Sequence, residues 1–292
     1  MRIASLPMYD ADPEAVDAWW RAISRALRAQ GAIDVPEFLD QPVELDAHWR
    51  DPRLLLSQTC GYPLVTTLLS TVQVIGAFHY TAPGCSGLDY RSELVARIDD
   101  ARTIDGYRGR VAAINSPDSH SGCNALRGLV APLARNGTFF ADQLICGSHR
   151  GSLAALHSGA ADIAAIDCVS LAGFRRRDPE LLRGLRVVCS TAPAPGLPLV
   201  TSATTTPAEL AALRRALHAA CSDATAADAR EALFIGGFQI VSADAWKVID
   251  DVRRFANDMA LAEHGAPALA SPAGGAAASC SRPPASMGRP LD

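Results

Sequence analysis

An apolar run that passes directly into an amphipathic segment constrains the fold of this chain most strongly. Residues 109–114 are mostly small and apolar, and a polar turn with small side chains follows at residues 115–124. After the turn, Leu126, Leu129 and Leu133 recur at helical spacing. The run therefore predicts a buried strand, and the segment beyond the turn predicts a helix.

The same order of strand, polar loop and helix recurs along the chain. Predicted strands lie at residues 2–6, 35–39, 54–57, 72–80, 88–98, 109–115, 142–146, 161–166, 185–189 and 199–202. Predicted helices lie at residues 13–30, 58–69, 119–134, 149–158, 169–174, 207–221, 226–233 and 243–263. Strands that alternate with helices predict an α/β fold with mainly parallel sheets.

Two long helices carry an apolar face. In the first, Asp12 is predicted as the N-cap, and Trp19 and Trp20 are predicted to be core residues. The last helix is predicted to present its apolar side through Val248, Val252, Phe255 and Met259.

Composition excludes several classes of partner. The chain has 292 residues, enough for two domains, and its net charge of −4 gives no indication of nucleic-acid binding. Its apolar stretches are shorter than the roughly 20 residues that span a bilayer, so a chain that does not cross the membrane is expected. Residues 265–292 are rich in Ala, Gly, Ser and Pro, which predicts a disordered tail.

The cysteines and the first ten residues give indications of the cellular compartment of the protein. The eight cysteines show no short paired spacing, so neither a zinc site nor a CxxC motif is predicted. Several lie in apolar runs, which favours reduced thiols, although a disulfide stays open. Residues 1–10 contain no apolar signal core, which favours a chain that is not exported.

The turn at residues 115–124 is the first candidate site. Pro117 removes one N–H donor, while Ser119, Ser121 and Gly122 bring small side chains and accessible N–H groups to a helix start. The positive end of the helix dipole favours an anion there. A plain N-cap without a ligand is the alternative interpretation.

Other predicted strand ends carry side chains suited to ligand binding, and in open parallel sheets ligands lie beyond the carboxyl ends of the strands. The candidates are Tyr9, Gln58, Tyr62, Asn115, His149 and Asp167. His149 could instead cap a helix, and Asp167 could be the N-cap of the helix near residue 169. A metal site or a Ser–His–Asp hydrolase is disfavoured, because the chain has neither an i, i+4 histidine pair in this region nor a G-x-S-x-G elbow.

Three segments together resemble the phosphate/phosphonate-binding proteins of ABC transporters, which have the type 2 periplasmic-binding-protein fold. They are Asn-Ser-Pro-Asp-Ser-His-Ser-Gly (115–122), Gly-Ser-His-Arg-Gly-Ser-Leu (147–153) and Ala-Asp-Ile-Ala-Ala-Ile-Asp (161–167). The resemblance implies two α/β lobes that close on a ligand in the cleft between them. The first lobe would comprise residues 1–98 and 195–264, and the second residues 99–194.

The resemblance also implies roles for the candidate residues. Ser119, His120 and Ser121 match the helix start that holds phosphoryl oxygens, with a histidine where Ser or Thr is usual. His149 matches a histidine of the cleft, and Asp167 matches the acid that meets an amino group or a protonated phosphoryl oxygen. Tyr9 and Tyr62 fall near aromatic contacts of the first lobe.

The function implied is capture of a small oxyanion, such as phosphate or a phosphonate, for an ABC permease, without catalysis, cofactor or metal. The alternative is a cytoplasmic enzyme or ligand sensor on the same fold, acting on a small carboxylate. The resemblance implies a periplasmic location, whereas the first residues favour the cytoplasm, so both stay open.

Overall fold

The structure is a computed structural model that describes residues 2–9 and 12–262. The predicted disordered tail at residues 265–292 lies outside the described residues. The chain divides into two compact units, one formed by Met1–Tyr90 and Pro195–Lys247 and the other by Arg91–Ala194 and Val248–Asp292.

The regular elements follow one another in an α/β order. In chain order the strands are β1 (Ile3–Ser5), β2 (Leu54–Gln58), β3 (Val72–Tyr80), β4 (Asp89–Tyr90), β5 (Ser92–Arg97), β6 (Val111–Ile114), β7 (Asp142–Ile145), β8 (Ile163–Asp167), β9 (Leu185–Ser190), β10 (Ala194–Pro195), β11 (Pro198–Ser202) and β12 (Ile235–Gln239). The α-helices are α1 (Pro13–Ala29), α2 (Leu45–Trp49), α3 (Gly61–Pro63), α4 (Ala125–Val130), α5 (His149–Ser158), α6 (Cys168–Arg177), α7 (Pro207–Ser222), α8 (Ala227–Ala232) and α9 (Lys247–Ala262). Two π-helical turns span Leu64–Leu68 and His120–Asn124, and 3₁₀ turns span Ile104–Tyr107, Ala131–Leu133, Pro179–Leu182, Ala224–Ala226 and Ala243–Trp246.

Each unit contains a five-stranded sheet. In the first unit the strand order is β1-β2-β11-β3-β12, with β11 antiparallel to both of its neighbours. In the second unit the order is β7-β6-β8-β5-β9, with β6 parallel to β7 and β8, and β5 antiparallel to β8 and β9. The α/β class is confirmed, but the sheets are mixed rather than mainly parallel. In the first unit β11 and β12 both run antiparallel to β3, and in the second β5 runs antiparallel to β8 and β9.

Local capping explains where α1 begins and where α5 ends. The carboxylate of Asp12 accepts a hydrogen bond from the N–H of Ala15 at 3.2 Å at the start of α1, as predicted. Trp19 and Trp20 are buried, which confirms them as core residues. The predicted end of α5 is also confirmed, because Gly159 adopts φ +75° as its C-cap, a conformation that glycine adopts without strain.

The predicted strand at residues 35–39 is wrong. Pro36 cannot donate a backbone hydrogen bond, and the segment is an irregular connection between α1 and α2. It is fixed to β1 by Asp40, whose N–H donates to the carbonyl of Ala4 at 2.7 Å and whose carboxylate accepts from the N–H of Ala4 at 2.9 Å. Its apolar side chains Phe38 and Val43 are 76% and 92% exposed, so they do not form a sheet face.

Two elements lie close to the boundaries of these units along the chain. The predicted strand 88–98 is interrupted at Arg91, and β5 pairs with strands of the second unit. Most of α9 belongs to the second unit as well.

The predicted apolar side of α9 is wrong in part. Ile249 is fully buried and Ala256 is 5% exposed, whereas Val248 and Phe255 are 40% and 43% exposed. Val252 of the predicted side still lies against α4, because its Cγ1 would stand 2.5 Å from a Cβ atom at Gly128. The buried side therefore overlaps the predicted one but is rotated toward Ile249 and Ala256.

The core of the second unit supports the candidate site directly. Apolar side chains from β5, β6 and β8 pack against α4 and the turn that precedes it. The buried members of this cluster are Leu94, Ala96, Tyr107, Ala112, Ile114, Cys123, Leu126, Leu129, Val130, Phe139, Ile163, Ala165 and Cys189. Strand ends anchored on such a core hold the residues that follow them at fixed positions.

Candidate functional site: the strand ends of the second unit

The helix after β6 opens with a capped and buried turn. The Ser119 hydroxyl accepts a hydrogen bond from the N–H of Gly122 at 3.1 Å, which makes Ser119 the N-cap. The π-helical turn His120–Asn124 follows and continues into α4. Ser119, His120 and Ser121 are 7%, 3% and 6% exposed, so this helix start is built into the protein interior.

Gly122 allows Asn115 to lie against the turn. A Cβ atom at residue 122 would stand 1.9 Å from Oδ1 of Asn115 and 3.3 Å from Cε1 of His149, so a larger residue does not fit without movement. Oδ1 of Asn115 is buried and makes no hydrogen bond within the described part of the chain. The amide oxygen of Asn115 is therefore an open acceptor beside the turn.

Ser121 and His149 meet although 28 residues separate them. The Ser121 hydroxyl lies 3.2 Å from Nε2 of His149, the first residue of α5. The carbonyl of Ser121 also accepts a hydrogen bond from the hydroxyl of Ser92 at 2.9 Å. Since β6 and β7 are parallel neighbours, the residues that follow them are brought to the same edge of the sheet.

Asn124 links the turn to α9. Its Nδ2 lies 3.1 Å from Nδ1 of His120 and 3.0 Å from the backbone carbonyl of Ile249. Asn124 is 1% exposed, and its Oδ1 makes no hydrogen bond with any residue that the structure describes.

Both histidines of the site are held in the neutral form. Burial lowers the pKa of His120 to about 4, because the imidazolium would lose its hydration. Burial likewise lowers the pKa of His149 to about 4, and an interaction with the backbone of Ala165 acts in the opposite direction. That interaction is weak, since Nδ1 of His149 makes no hydrogen bond of good distance and angle among the described residues.

Asp167 caps a helix at the end of β8. Its Oδ1 accepts hydrogen bonds from the N–H groups of Val169 at 2.7 Å and Ser170 at 3.0 Å, at the start of α6. The N-cap role that the sequence left open for Asp167 is thus present. Asp167 is 2% exposed.

In the first unit, the candidates at the strand ends gather around a residue that sequence reasoning missed. The Gln58 amide donates to the Tyr80 hydroxyl at 2.7 Å, and the rings of Tyr9 and Tyr80 pack edge to face at 5.1 Å. Tyr80 ends the predicted strand 72–80, so the strand-end rule would have identified it. Tyr62 lies in α3, where its carbonyl accepts the Thr66 hydroxyl.

A buried polar network supports these strand ends. The Ser5 hydroxyl lies 2.8 Å from Nε2 of His48 and 2.8 Å from the Ser57 hydroxyl, and the Trp49 indole donates to Ser57 at 3.2 Å. No local sequence signal joins residues so far apart along the chain. Burial lowers the pKa of His48, while the negative charges of Asp40 and Asp51 act in the opposite direction.

Three further findings concern metal binding, membrane crossing and disulfide formation. Among the described residues, no group of three or more His, Cys, Asp or Glu side chains is arranged to hold a metal ion. Across the same part of the chain, no helix combines the length and the apolar character needed to cross a bilayer. Cys168 forms no disulfide, so it does not pair with Cys189.

Two α/β units, each with its own mixed sheet, define the class of two-lobed binding-protein folds, and solved structures of that class are similar to the chain. A binding-protein component of an ABC phosphonate transporter from Pseudomonas aeruginosa matches with a TM-score of 0.73 and 16% identity, over 91% of this chain and 90% of that one. PhnD1 from Prochlorococcus marinus, in complex with methylphosphonate, matches with a TM-score of 0.70 and 16% identity, over 87% and 98%. XAC2383 from Xanthomonas citri, bound to ATP, matches with a TM-score of 0.66 and 18% identity, over 88% and 97%.

Residues 42–246 match the sequence model of the family described as ABC transporter, phosphonate, periplasmic substrate-binding protein. The chain belongs to this family. No curated protein matches the chain. The family consists of periplasmic solute-binding proteins rather than enzymes, so the alternative of an enzyme on the same fold is set aside, and the resemblance read from the sequence is confirmed.

Proposed function

We propose that this solute-binding protein captures a small anion with a phosphoryl group and presents it to an ABC permease. Phosphonates are the ligand class that we propose in the first place. Family membership supports the permease partner and the periplasmic location. The observation that carries the choice of ligand is the capped turn after β6, where hydroxyl and N–H groups lie beside two neutral histidines.

The chemistry of these groups suits phosphoryl oxygens. The hydroxyl groups of Ser119 and Ser121 are uncharged donors at the positive end of a helix dipole, whereas the N–H groups of Gly122 and Asn124 already donate to Ser119. Arg127, the first basic residue after the turn, donates to Oδ1 of Asn257 at 2.7 Å and is engaged there. Recognition at this turn therefore rests on hydrogen bonds rather than on a guanidinium.

Asp167 restricts which phosphoryl compounds the proposed site would bind. A carboxylate repels a fully ionised oxyanion but accepts a hydrogen bond from a P–OH group or from the amino group of an aminoalkylphosphonate. Together with Asn115 and His149, it would select a singly protonated phosphoryl group or a zwitterionic ligand. Tyr9, Gln58 and Tyr62 are proposed as the contribution of the first lobe, which would comprise residues 1–98 and 195–264, with residues 99–194 as the second.

The test is a thermal-shift panel on the purified chain, followed by calorimetry on any compound that responds. The panel holds methylphosphonate, aminoethylphosphonate, phosphate, phosphite and ATP, the last because a similar fold was solved with ATP bound. Alkylsulfonates and aromatic carboxylates serve as matched anions without phosphorus. A ligand at a hundredfold excess over its Kd stabilises the folded state by about 2.7 kcal/mol, a readable shift. A response confined to carboxylates or sulfonates would refute the phosphoryl assignment.

A further inference from the structure

The orientation of the Asn124 amide is fixed by its surroundings. Its Nδ2 lies 3.0 Å from the carbonyl oxygen of Ile249 in α9. A carbonyl oxygen only accepts, so the NH₂ end of the amide, and not its oxygen, must face Ile249. The flipped amide would bring two acceptor oxygens together in a buried position, since Asn124 is 1% exposed.

The same nitrogen determines where the proton of His120 sits. Nδ2 of Asn124 is also 3.1 Å from Nδ1 of His120, and an amide NH₂ group carries two protons, one for each contact. Because NH₂ donates only, Nδ1 of His120 must accept and has no proton of its own. The remaining ring proton is then on Nε2.

We infer that Asn124 is a positioning residue, which holds His120 as the neutral Nε2–H tautomer and so gives the turn one ring donor of fixed direction. An imidazolium would place a second N–H against the amide NH₂ group, so the contact opposes protonation as well as the other tautomer. The low pKa of His120 agrees with this arrangement. The role in ligand binding rests on the proposed function and on a contact between His120 and the anion, as the family resemblance implies, whereas the tautomer itself depends on neither.

The cost of the arrangement supports a role beyond packing. Oδ1 of Asn124 is buried and makes no hydrogen bond with the described residues, and an unsatisfied polar atom in the interior is destabilising relative to a satisfied one. A leucine of similar size would avoid that cost at a site next to the apolar core. The amide supplies what leucine cannot, a donor shared between Ile249 and His120, so that α9 and the turn fix the ring together.

The tautomer is measured by two-dimensional ¹H–¹⁵N spectroscopy of the histidine rings in the ligand-free protein. The chain has seven histidines, and the signals missing from His120→Gln assign this one. The expected wild-type spectrum shows an unprotonated Nδ1 and a protonated Nε2 from pH ~5.5 to ~8, a range that spans the ordinary histidine pKa. A protonated Nδ1 in the wild type would overturn the inference, whether or not any phosphonate binds.

Two variants test whether Asn124 is responsible. In Asn124→Asp the carboxylate accepts from Nδ1–H, so the proton is expected to move to Nδ1 or the ring to become cationic. In Asn124→Leu a mixture of tautomers is expected. Asn257→Leu, the same chemical change on α9 at a side chain bonded to Arg127, is the control and should leave the His120 signals unchanged. If both Asn124 variants keep the wild-type His120 signals, Asn124 does not set the tautomer.

Affinity for methylphosphonate then separates this inference from the proposed function. Asn124→Leu and Asn124→Asp are expected to bind about tenfold more weakly, the equivalent of one hydrogen bond to a charged group. Absence of methylphosphonate binding by the wild type would count against the proposed ligand and leave the spectral result standing. Shifted signals with unchanged affinity would refute the ligand role of the fixed donor.

Discussion

The hydroxyl of Ser121 lies 3.2 Å from Nε2 of His149, so the first turns of two different helices meet at one edge of the second sheet. Both residues follow parallel neighbouring strands, β6 and β7, and the register of that pair sets their separation. A contact built on strand register is held by the whole sheet rather than by the two side chains. The predictions below test what this edge does.

Ser121→Ala is expected to weaken binding of the responding phosphoryl anion by about 1–3 kcal/mol, because a hydrogen bond to a charged group is lost. Isothermal calorimetry measures the effect. Ser158→Ala, which removes a hydroxyl at the other end of α5, is the control and should bind normally. Unchanged affinity in Ser121→Ala would remove this helix start from the site.

Gly122→Ala is expected to displace Asn115 from the turn, since the new methyl group would stand 1.9 Å from its amide oxygen. Overpacking of this kind costs about 1–3 kcal/mol. Chemical denaturation would measure the loss of stability. Calorimetry is expected to show that binding has become too weak to detect. The double variant Gly122→Ala/Asn115→Ala should recover stability, and failure to do so would place the clash elsewhere.

Stability is expected to fall as the pH drops from about 6.5 to about 4. His120 is neutral in the folded state, with a pKa near 4, while the unfolded chain takes up the proton at its ordinary pKa of about 6.5. The unfolded state therefore binds more protons in this window, and His120 alone lowers the free energy of unfolding by about 2 kcal/mol between pH ~7 and ~5.

Urea denaturation at the two pH values measures this dependence, and His120→Gln should show correspondingly less of it. His157→Gln, at an exposed position, should keep the wild-type dependence. Equal pH dependence in the wild type and His120→Gln would show that His120 has the same pKa in the folded and unfolded states.

Asp167→Asn separates the capping role of Asp167 from its proposed charge role. Asparagine is as good an N-cap as aspartate, so stability should change little, whereas Asp167→Ala should lose about 0.5–2 kcal/mol. Affinity for aminoethylphosphonate should fall in Asp167→Asn, because the carboxylate that meets the amino group is gone. If only the alanine variant differs from the wild type in any measurement, Asp167 is a cap and nothing more.

Tyr80→Phe is expected to destabilise the first unit by about 1–3 kcal/mol, since it leaves the amide of Gln58, which is 3% exposed, without its acceptor. Equilibrium denaturation measures the change. Tyr62→Phe, at a more exposed tyrosine, is the matched control and should stay within about 0.5 kcal/mol of the wild type. Equal stability of the two variants would argue against a structural hydrogen bond at Tyr80.

Local pattern was sufficient for the part of the fold that carries the candidate site. The strand at β6, the capped turn after it and the helix broken at Gly159 follow from periodicity, small polar residues and one glycine, all within a few positions. The capping alternative for Asp167 came from the same kind of signal. The roles of these residues in binding stay predictions.

Features that depend on distant partners could not be predicted in this way. The insertion of β11 between β2 and β3 joins strands far apart in sequence, and nothing in the strand itself specifies that position. Apolar residues on two sides of α9 left its buried side ambiguous, and Ile249 rather than Val248 faces inward. Asn124 was missed because its partners, His120 and Ile249, come together only in the folded unit.

The pairing of Asp40 with Ala4 has a consequence for the protein in concentrated solution. β1 is the edge strand of the first sheet, and an edge with open N–H and C=O groups invites a strand from another molecule. Asp40 occupies both backbone groups of Ala4, so the middle of this three-residue strand is closed to such addition. The irregular connection between α1 and α2, which carries Asp40, thus protects this edge of the sheet from intermolecular β-pairing and aggregation.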